Sequence, residues 1–130
     1  MSAKVAPPTA ALVVAADEEM RILLRGLLQL HRVRVDAEAD GMTEALRLVR
    51  DRRPGIVVAD SHLSEGSVGG LVAGAREACP GLRFILVVPA SRPPPQLAPD
   101  SMPDVMLLKP FRIQQFADAV LAPQPPGTAG

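Results

Sequence analysis

The stretch GIVVADSHLSEG, residues 55–66, contains a short apolar run that stops at a single acid, Asp60. An uninterrupted apolar run of this length, bounded by a glycine and an acid, is typical of a strand that is buried on both faces of a parallel sheet. A second run, ALVVAA at residues 11–16, has the same character and meets its first acid at Asp17. Two buried strands that carry acids to one edge of a sheet predict a site at that edge.

Helical patterns lie between the strand-like runs. Leu23, Leu24 and Leu27 recur at helical spacing, for example, and acids precede them where they suit the helix dipole. The predicted strands are residues 11–16, 32–37, 56–60, 83–88 and 105–108, and the predicted helices are residues 17–28, 42–49, 68–78 and 113–120. This alternation predicts an α/β protein with a flavodoxin-like, doubly wound sheet of five parallel strands in the order 2-1-3-4-5.

One helix of that fold is expected to be shortened or lost. Six prolines lie between Pro89 and Pro103, and each removes a backbone donor and restricts the chain. At most one helical turn, near residues 96–98, fits between them, with Pro95 tolerated close to its start. The connection between the fourth and fifth strands is therefore predicted to be an extended, proline-rich segment.

The composition predicts one packed domain and gives no reason to expect a charged partner. The chain has 130 residues, of which 48% are hydrophobic, so it can bury a sizeable core. Its 14 basic and 14 acidic residues balance, which argues against binding to nucleic acid or to an anionic membrane. The uncharged runs are too short to span a bilayer. No hydrolytic triad, P-loop or dinucleotide motif is present, so an enzyme is not expected.

The two ends differ in composition from the middle of the chain. Residues 1–10 and 122–130 are rich in Ala, Pro and Gly and are predicted to be a disordered arm and a linker-like tail. The packed domain is expected at residues 11–121. Cys79 is the single cysteine, which excludes an internal disulfide and favours a reducing compartment, and thus a cytoplasmic protein.

Between residues 11 and 121 the chain resembles the receiver domain of two-component response regulators. Three motifs carry the resemblance. VVADSHL at residues 57–63 ends the central strand, ADGMTEALRLVRDRRPGIVVAD at residues 39–60 spans the second helix and third strand, and MLLKPF at residues 106–111 covers the fifth strand and the turn after it.

The resemblance implies a signalling role in a phosphorelay. It implies that Asp60 takes a phosphoryl group from a histidine kinase or phosphotransfer protein, and that Lys109 contacts that group. It also implies a cis peptide bond before Pro110. In the family Mg²⁺ supports the transfer, and the positions that match its ligands here include Asp60 and the backbone carbonyl of His62. A downstream protein partner then reads the phosphorylated state.

Several positions depart from the family pattern. The acidic pair that holds the metal falls on Ala15 and Ala16, so Mg²⁺ binding is expected to be weak or absent. The hydroxyl residue at the end of the fourth strand falls on Pro89, and the aromatic switch residue falls on Met106. The proline of the acceptor loop falls on Ser64.

Asp17 is the nearest carboxylate that could replace the missing pair. A bulge at the end of the first strand would bring it to the metal, whereas without one it only decorates the start of a helix, which is the interpretation we favour. Two functions follow from the sequence. The first is a receiver phosphorylated on Asp60. The alternative is a pseudo-receiver, which keeps the fold and signals by contact without phosphorylation.

Overall fold

The computed structural model describes residues 10–90 and 96–121. Their strands are β1 (Ala10–Val14), β2 (Arg34–Ala39), β3 (Ile56–Asp60), β4 (Arg83–Pro89) and β5 (Val105–Lys109). Their helices are α1 (Glu18–Leu30), α2 (Met42–Arg52), α3 (Val68–Ala78) and α4 (Ile113–Leu121). The strands form one parallel sheet in the order β2-β1-β3-β4-β5. The predicted flavodoxin-like fold and strand order are confirmed.

The sheet is covered on both faces because its central strands are apolar on both sides. Every residue of β3 is buried. On one face α2 and α3 pack through residues such as Leu48 and Val72. On the other face α1 and α4 pack through residues such as Leu24 and Phe116. None of the helices in the described ranges has the length and apolar character needed to cross a membrane.

Two strands begin at residues other than the predicted ones. β2 starts at Arg34, two residues late, because Arg32 takes a left-handed conformation with φ of 64° and closes the turn after α1. The Arg32 N–H donates to the carbonyl of Gln29 at 2.9 Å in that turn. β1 starts at Ala10, the last residue of the predicted arm. The rest of that arm, and the predicted tail at residues 122–130, lie outside the described residues.

The described part of the connection from β4 to β5 contains one short turn, at Pro99–Ser101, which is a 3₁₀ turn. The turn expected near residues 96–98 is therefore wrong in position by three residues. Pro99 stands at the start of the turn, where its missing N–H is not needed. The prolines at residues 93–95, which are expected to help prevent a regular helix, lie outside the described residues. Over residues 96–103, no regular α-helix is present, as predicted.

Side-chain contacts, and not the packing of a regular helix, fix the position of the segment that leads into β5. The Asp104 carboxylate accepts the N–H of Phe84 at 2.7 Å and pairs with the Arg76 guanidinium at 3.1 Å. Arg76 also donates to the carbonyl of Met102 at 3.0 Å. Leu97 packs against the core beneath α3. The segment is thus fastened to α3 and β4 by a small ion-paired cluster.

Candidate functional site

A polar cleft opens at the carboxyl edge of the sheet, where β1, β3, β4 and β5 end. Its volume is about 440 Å³. The residues that line it are Asp17, Met20, Asp60, Ser61, His62, Pro89 and Lys109. Parallel strands bring these residues together although they are far apart in sequence, and this edge is where open α/β sheets bind ligands.

Asp60 is the buried acid of this cleft. It is the last residue of β3 and is 5% exposed, the one buried charged side chain among the described residues. Its Oδ1 accepts a hydrogen bond from the Lys109 ammonium at 2.8 Å, and its Oδ2 accepts the backbone N–H of His62 at 3.0 Å. Both carboxylate oxygens are therefore engaged, which satisfies the need of a buried charge for partners.

Lys109 reaches Asp60 from the edge strand β5, across the end of β4. It ends β5, two strands away from β3, and its side chain is 28% exposed. The Lys109 carbonyl accepts the N–H of Ala90 at 3.0 Å, which extends the ladder from β5 to β4. The peptide bond between Lys109 and Pro110 is cis, as expected. The resemblance implies that Lys109 contacts the group carried by Asp60, and the structure joins the two side chains directly.

The end of β1 offers no carboxylate to the cleft. Ala15 is fully buried, and the Arg21 guanidinium donates to the carbonyls of Ala15 and Ala16 at 2.7 and 3.3 Å. The N–H of Ala16 in turn donates to the carbonyl of His62 at 3.1 Å. Sequence reasoning missed Arg21, since its clamp on the strand end depends on how its side chain folds back from α1.

The other predicted residues lie on the walls of the cleft. Asp17 stands at the N-cap of α1, where its side chain makes no capping hydrogen bond, and it faces the same cleft as Asp60. His62 is exposed at the mouth. Met20 lines the cleft and also packs against the core under α1. Pro89, in the family's hydroxyl position, adds no polar hydrogen to the site.

The donor set fits Mg²⁺ poorly. Mg²⁺ requires nearly octahedral oxygen ligands with little tolerance. The oxygens at hand are the carboxylates of Asp60 and Asp17 and the carbonyl of His62. Both oxygens of Asp60 and the His62 carbonyl already accept hydrogen bonds. Within the described ranges, no cluster of three His, Cys, Asp or Glu side chains could hold a metal ion.

We expect Mg²⁺ to bind at millimolar concentration or more weakly, because the alanines at the end of β1 supply no side-chain ligand. An NMR titration of the amide signals around Asp60 measures this. Replacing Asp17 with asparagine should change the titration little. Signals that saturate below millimolar Mg²⁺, and lose that saturation in the Asp17→Asn variant, would show that Asp17 completes a metal site.

Solved receiver domains resemble this chain in structure. The receiver domain of the response regulator AraT from Geobacillus stearothermophilus is 25% identical, with a TM-score of 0.73 over 86% of this chain and 89% of that one. A signal receiver domain of an HD domain-containing protein from Pseudomonas fluorescens is 22% identical, with a TM-score of 0.75 over 88% and 92%.

A third similar structure carries a modified site. It is a response regulator from Burkholderia pseudomallei with a phosphorylated aspartic acid, a calcium ion and citrate. It is 21% identical, with a TM-score of 0.73 over 88% of this chain and 67% of that one. No protein-family model and no curated protein matches the chain.

Proposed function

We propose that this chain, which has the fold of a response-regulator receiver domain, acts in two-component signalling by accepting a phosphoryl group on Asp60. The donor is a histidine kinase or a phosphotransfer protein, and a downstream protein partner reads the result. One observation carries the proposal: a buried carboxylate and a lysine ammonium lie 2.8 Å apart in a cleft at the carboxyl edge of the sheet. The role is that of a cytoplasmic signalling domain, not of an enzyme.

Phosphoryl transfer mainly requires the protein to position the reacting groups and to neutralise the charge on the transferring oxygens. Asp60 Oδ1 attacks the phosphorus in line, the P–O bond forms, and the P–N bond to the donor imidazole breaks. The electron pair of that bond stays on the imidazole nitrogen. Lys109 then contacts the oxygens of the transferred group. Because the residues present fit Mg²⁺ poorly, Lys109 supplies most of the charge neutralisation, and we expect slow transfer.

Incubation with acetyl phosphate and Mg²⁺, followed by intact-mass spectrometry, tests the proposal. A receiver should gain one phosphoryl group per chain. A Lys109→Met variant should gain it more slowly, because a cation no longer faces the transferring oxygens. A wild-type chain that stays unmodified at saturating acetyl phosphate would overturn the proposal and favour the second function.

That second function is a contact-only pseudo-receiver, and the end of β1 favours it. Ala15 and Ala16 provide no metal ligand, and Arg21 holds their carbonyls. In this case the Asp60–Lys109 pair would only satisfy a buried charge. A downstream partner would then bind wild type and an Asp60→Asn variant with equal affinity, whereas a phosphorylation-dependent partner would distinguish the phosphorylated wild type from both.

We expect phosphorylation to leave the surface around β5 unchanged. Pro89 has no hydroxyl that could follow the phosphoryl group, and Met106, packed against the core, has no ring to reorient. Hydrogen exchange, compared between the free protein and its beryllofluoride form, should show added protection near Asp60 and Lys109 only. A large change in protection that extends beyond the neighbourhood of Lys109, across residues 96–106 or 111–116, would contradict this expectation.

A further inference from the structure

The outward side of α1 is apolar, which is unusual for a surface helix. Leu24 and Leu28 face the sheet and are fully buried. Ile22, Leu23 and Leu30 are 49%, 49% and 63% exposed. A helix that covers a sheet normally turns polar residues to water. Three large apolar side chains on the outer surface of one helix point to a partner that covers them.

Gly26 lies in the middle of this outward surface. At 3.6 residues per turn, position 26 falls opposite Leu24 and Leu28, with Ile22 one turn before it and Leu30 one turn after it. A Cβ atom at Gly26 would meet nothing within 4 Å. Glycine is a poor residue for a helix interior, and no contact in the described part of the chain requires it here. The missing side chain leaves room for a second backbone.

The charges at the two ends of this surface are opposite. Glu18 and Glu19 are exposed in the first turn of α1. Arg32 is exposed directly after its last turn. Within residues 10–90 and 96–121, none of these three side chains forms an ion pair. A surface with acids at one end and a base at the other is complementary to itself when two copies run antiparallel.

We propose that α1 is a homodimer interface, in which α1 of one copy packs antiparallel on α1 of a second copy about a two-fold axis at Gly26. Such an isologous contact uses the same patch twice. It brings Leu30 of one copy opposite Ile22 of the other, and Glu19 beside Arg32. The glycines at the axis let the two backbones approach closely.

The proposed interface borders a second, apolar cleft. This cleft has a volume of about 500 Å³, and its lining includes Leu23, Leu27, Phe111 and Ile113. Lys109 lines both this cleft and the polar one around Asp60. Leu23 belongs to the proposed interface as well, so a second copy would cover one wall of the apolar cleft. Dimerisation would then restrict access to the surface beside the phosphoacceptor.

Sedimentation velocity over a concentration series tests the interface. Wild type is expected to shift from monomer to dimer within the micromolar to millimolar range. Leu30→Gln should weaken the dimer at least tenfold. The matched control is Met102→Gln, since Met102 is 45% exposed but lies on the other side of the sheet, and it should leave self-association unchanged.

Gly26→Gln gives a readout that a merely structural role would not give. Glutamine is the better helix former, so the melting temperature of the monomer should rise. The same side chain would stand between the two backbones, so self-association should weaken at least tenfold. A variant with a higher melting temperature and unchanged self-association would refute close packing at Gly26.

Charge-reversal variants test whether the partner that covers α1 is a second copy of this chain. Glu19→Arg and Arg32→Glu should each weaken the dimer, and the combined variant should restore it, which only a second copy of the same surface can do. A wild type that stays monomeric at millimolar concentration, or a combined variant without rescue, would overturn the proposal. If the wild type is monomeric and an added phosphotransfer protein slows hydrogen exchange around Leu30, the surface belongs to that partner instead.

Discussion

Replacing Lys109 with methionine is expected to lower the free energy of unfolding by about 2–3 kcal/mol at neutral pH. The change removes the ammonium 2.8 Å from Asp60 Oδ1 and leaves a carboxylate that is 5% exposed with one backbone hydrogen bond. Breaking a fully buried pair costs about 3–5 kcal/mol. We expect less here because the Lys109 side chain is 28% exposed, so water reaches the site.

A small set of variants separates the buried charge from general damage to the site. In the Lys109→Met background, Asp60→Asn replaces the unpaired carboxylate by a neutral amide, so it should recover most of the lost stability. The chain has no Trp or Tyr, so urea unfolding is followed by far-UV circular dichroism. A surface change ordinarily alters the free energy of unfolding by less than about 0.5 kcal/mol. A loss that small for Lys109→Met would contradict the claim that the buried Asp60 carboxylate depends on Lys109 as its partner.

Replacing Asp60 with asparagine is expected to reduce phosphoryl incorporation from acetyl phosphate at least about tenfold, to background, because an amide is not a nucleophile for this transfer. Asparagine keeps the shape of the side chain and an oxygen for the N–H of His62. Incorporation is measured by intact-mass spectrometry under the conditions that label wild type.

Asp17→Asn is the matched control for that variant. Asp17 lines the same cleft, but it is exposed and stands at the start of α1, not at the end of β3. Its replacement should therefore leave most of the incorporation intact. Equal labelling of wild type and Asp60→Asn would contradict the assignment of the phosphoacceptor. Loss of labelling in both variants would show that Asp17 takes part in the transfer.

The parts of the fold that rest on uninterrupted patterns could be predicted from the sequence. β3 and α3 begin and end at the predicted residues because a glycine or an acid bounds the strand and Cys79-Pro80 follows the helix. The approach of Lys109 to Asp60 is what the resemblance to receiver domains implies, and parallel strands that end at the same edge of the sheet allow it. Their separation of 49 positions along the chain makes no difference to that geometry.

Other features depend on side chains and single dihedral angles, which no periodicity encodes. β2 begins late because Arg32 adopts a left-handed conformation, although the alternating pattern runs through it. The clamp of Arg21 on the end of β1 arises where a long side chain folds back on its own backbone. Glu65 accepts the N–H of Thr43 at 2.7 Å and so fastens the loop after β3 to the first turn of α2, a contact between a loop and a helix that no periodicity encodes.

One measurement tests the central claim most directly: the position of the phosphoryl group in wild-type protein. After incubation with acetyl phosphate, an aspartyl phosphate is reduced by borohydride to homoserine, which peptide mass spectrometry can place. A receiver phosphorylated at the edge of β3 should yield homoserine at position 60 and at no other aspartate. Homoserine at another position, or none at any position while a known receiver domain is modified in parallel, would contradict the assignment of Asp60 as the phosphoacceptor.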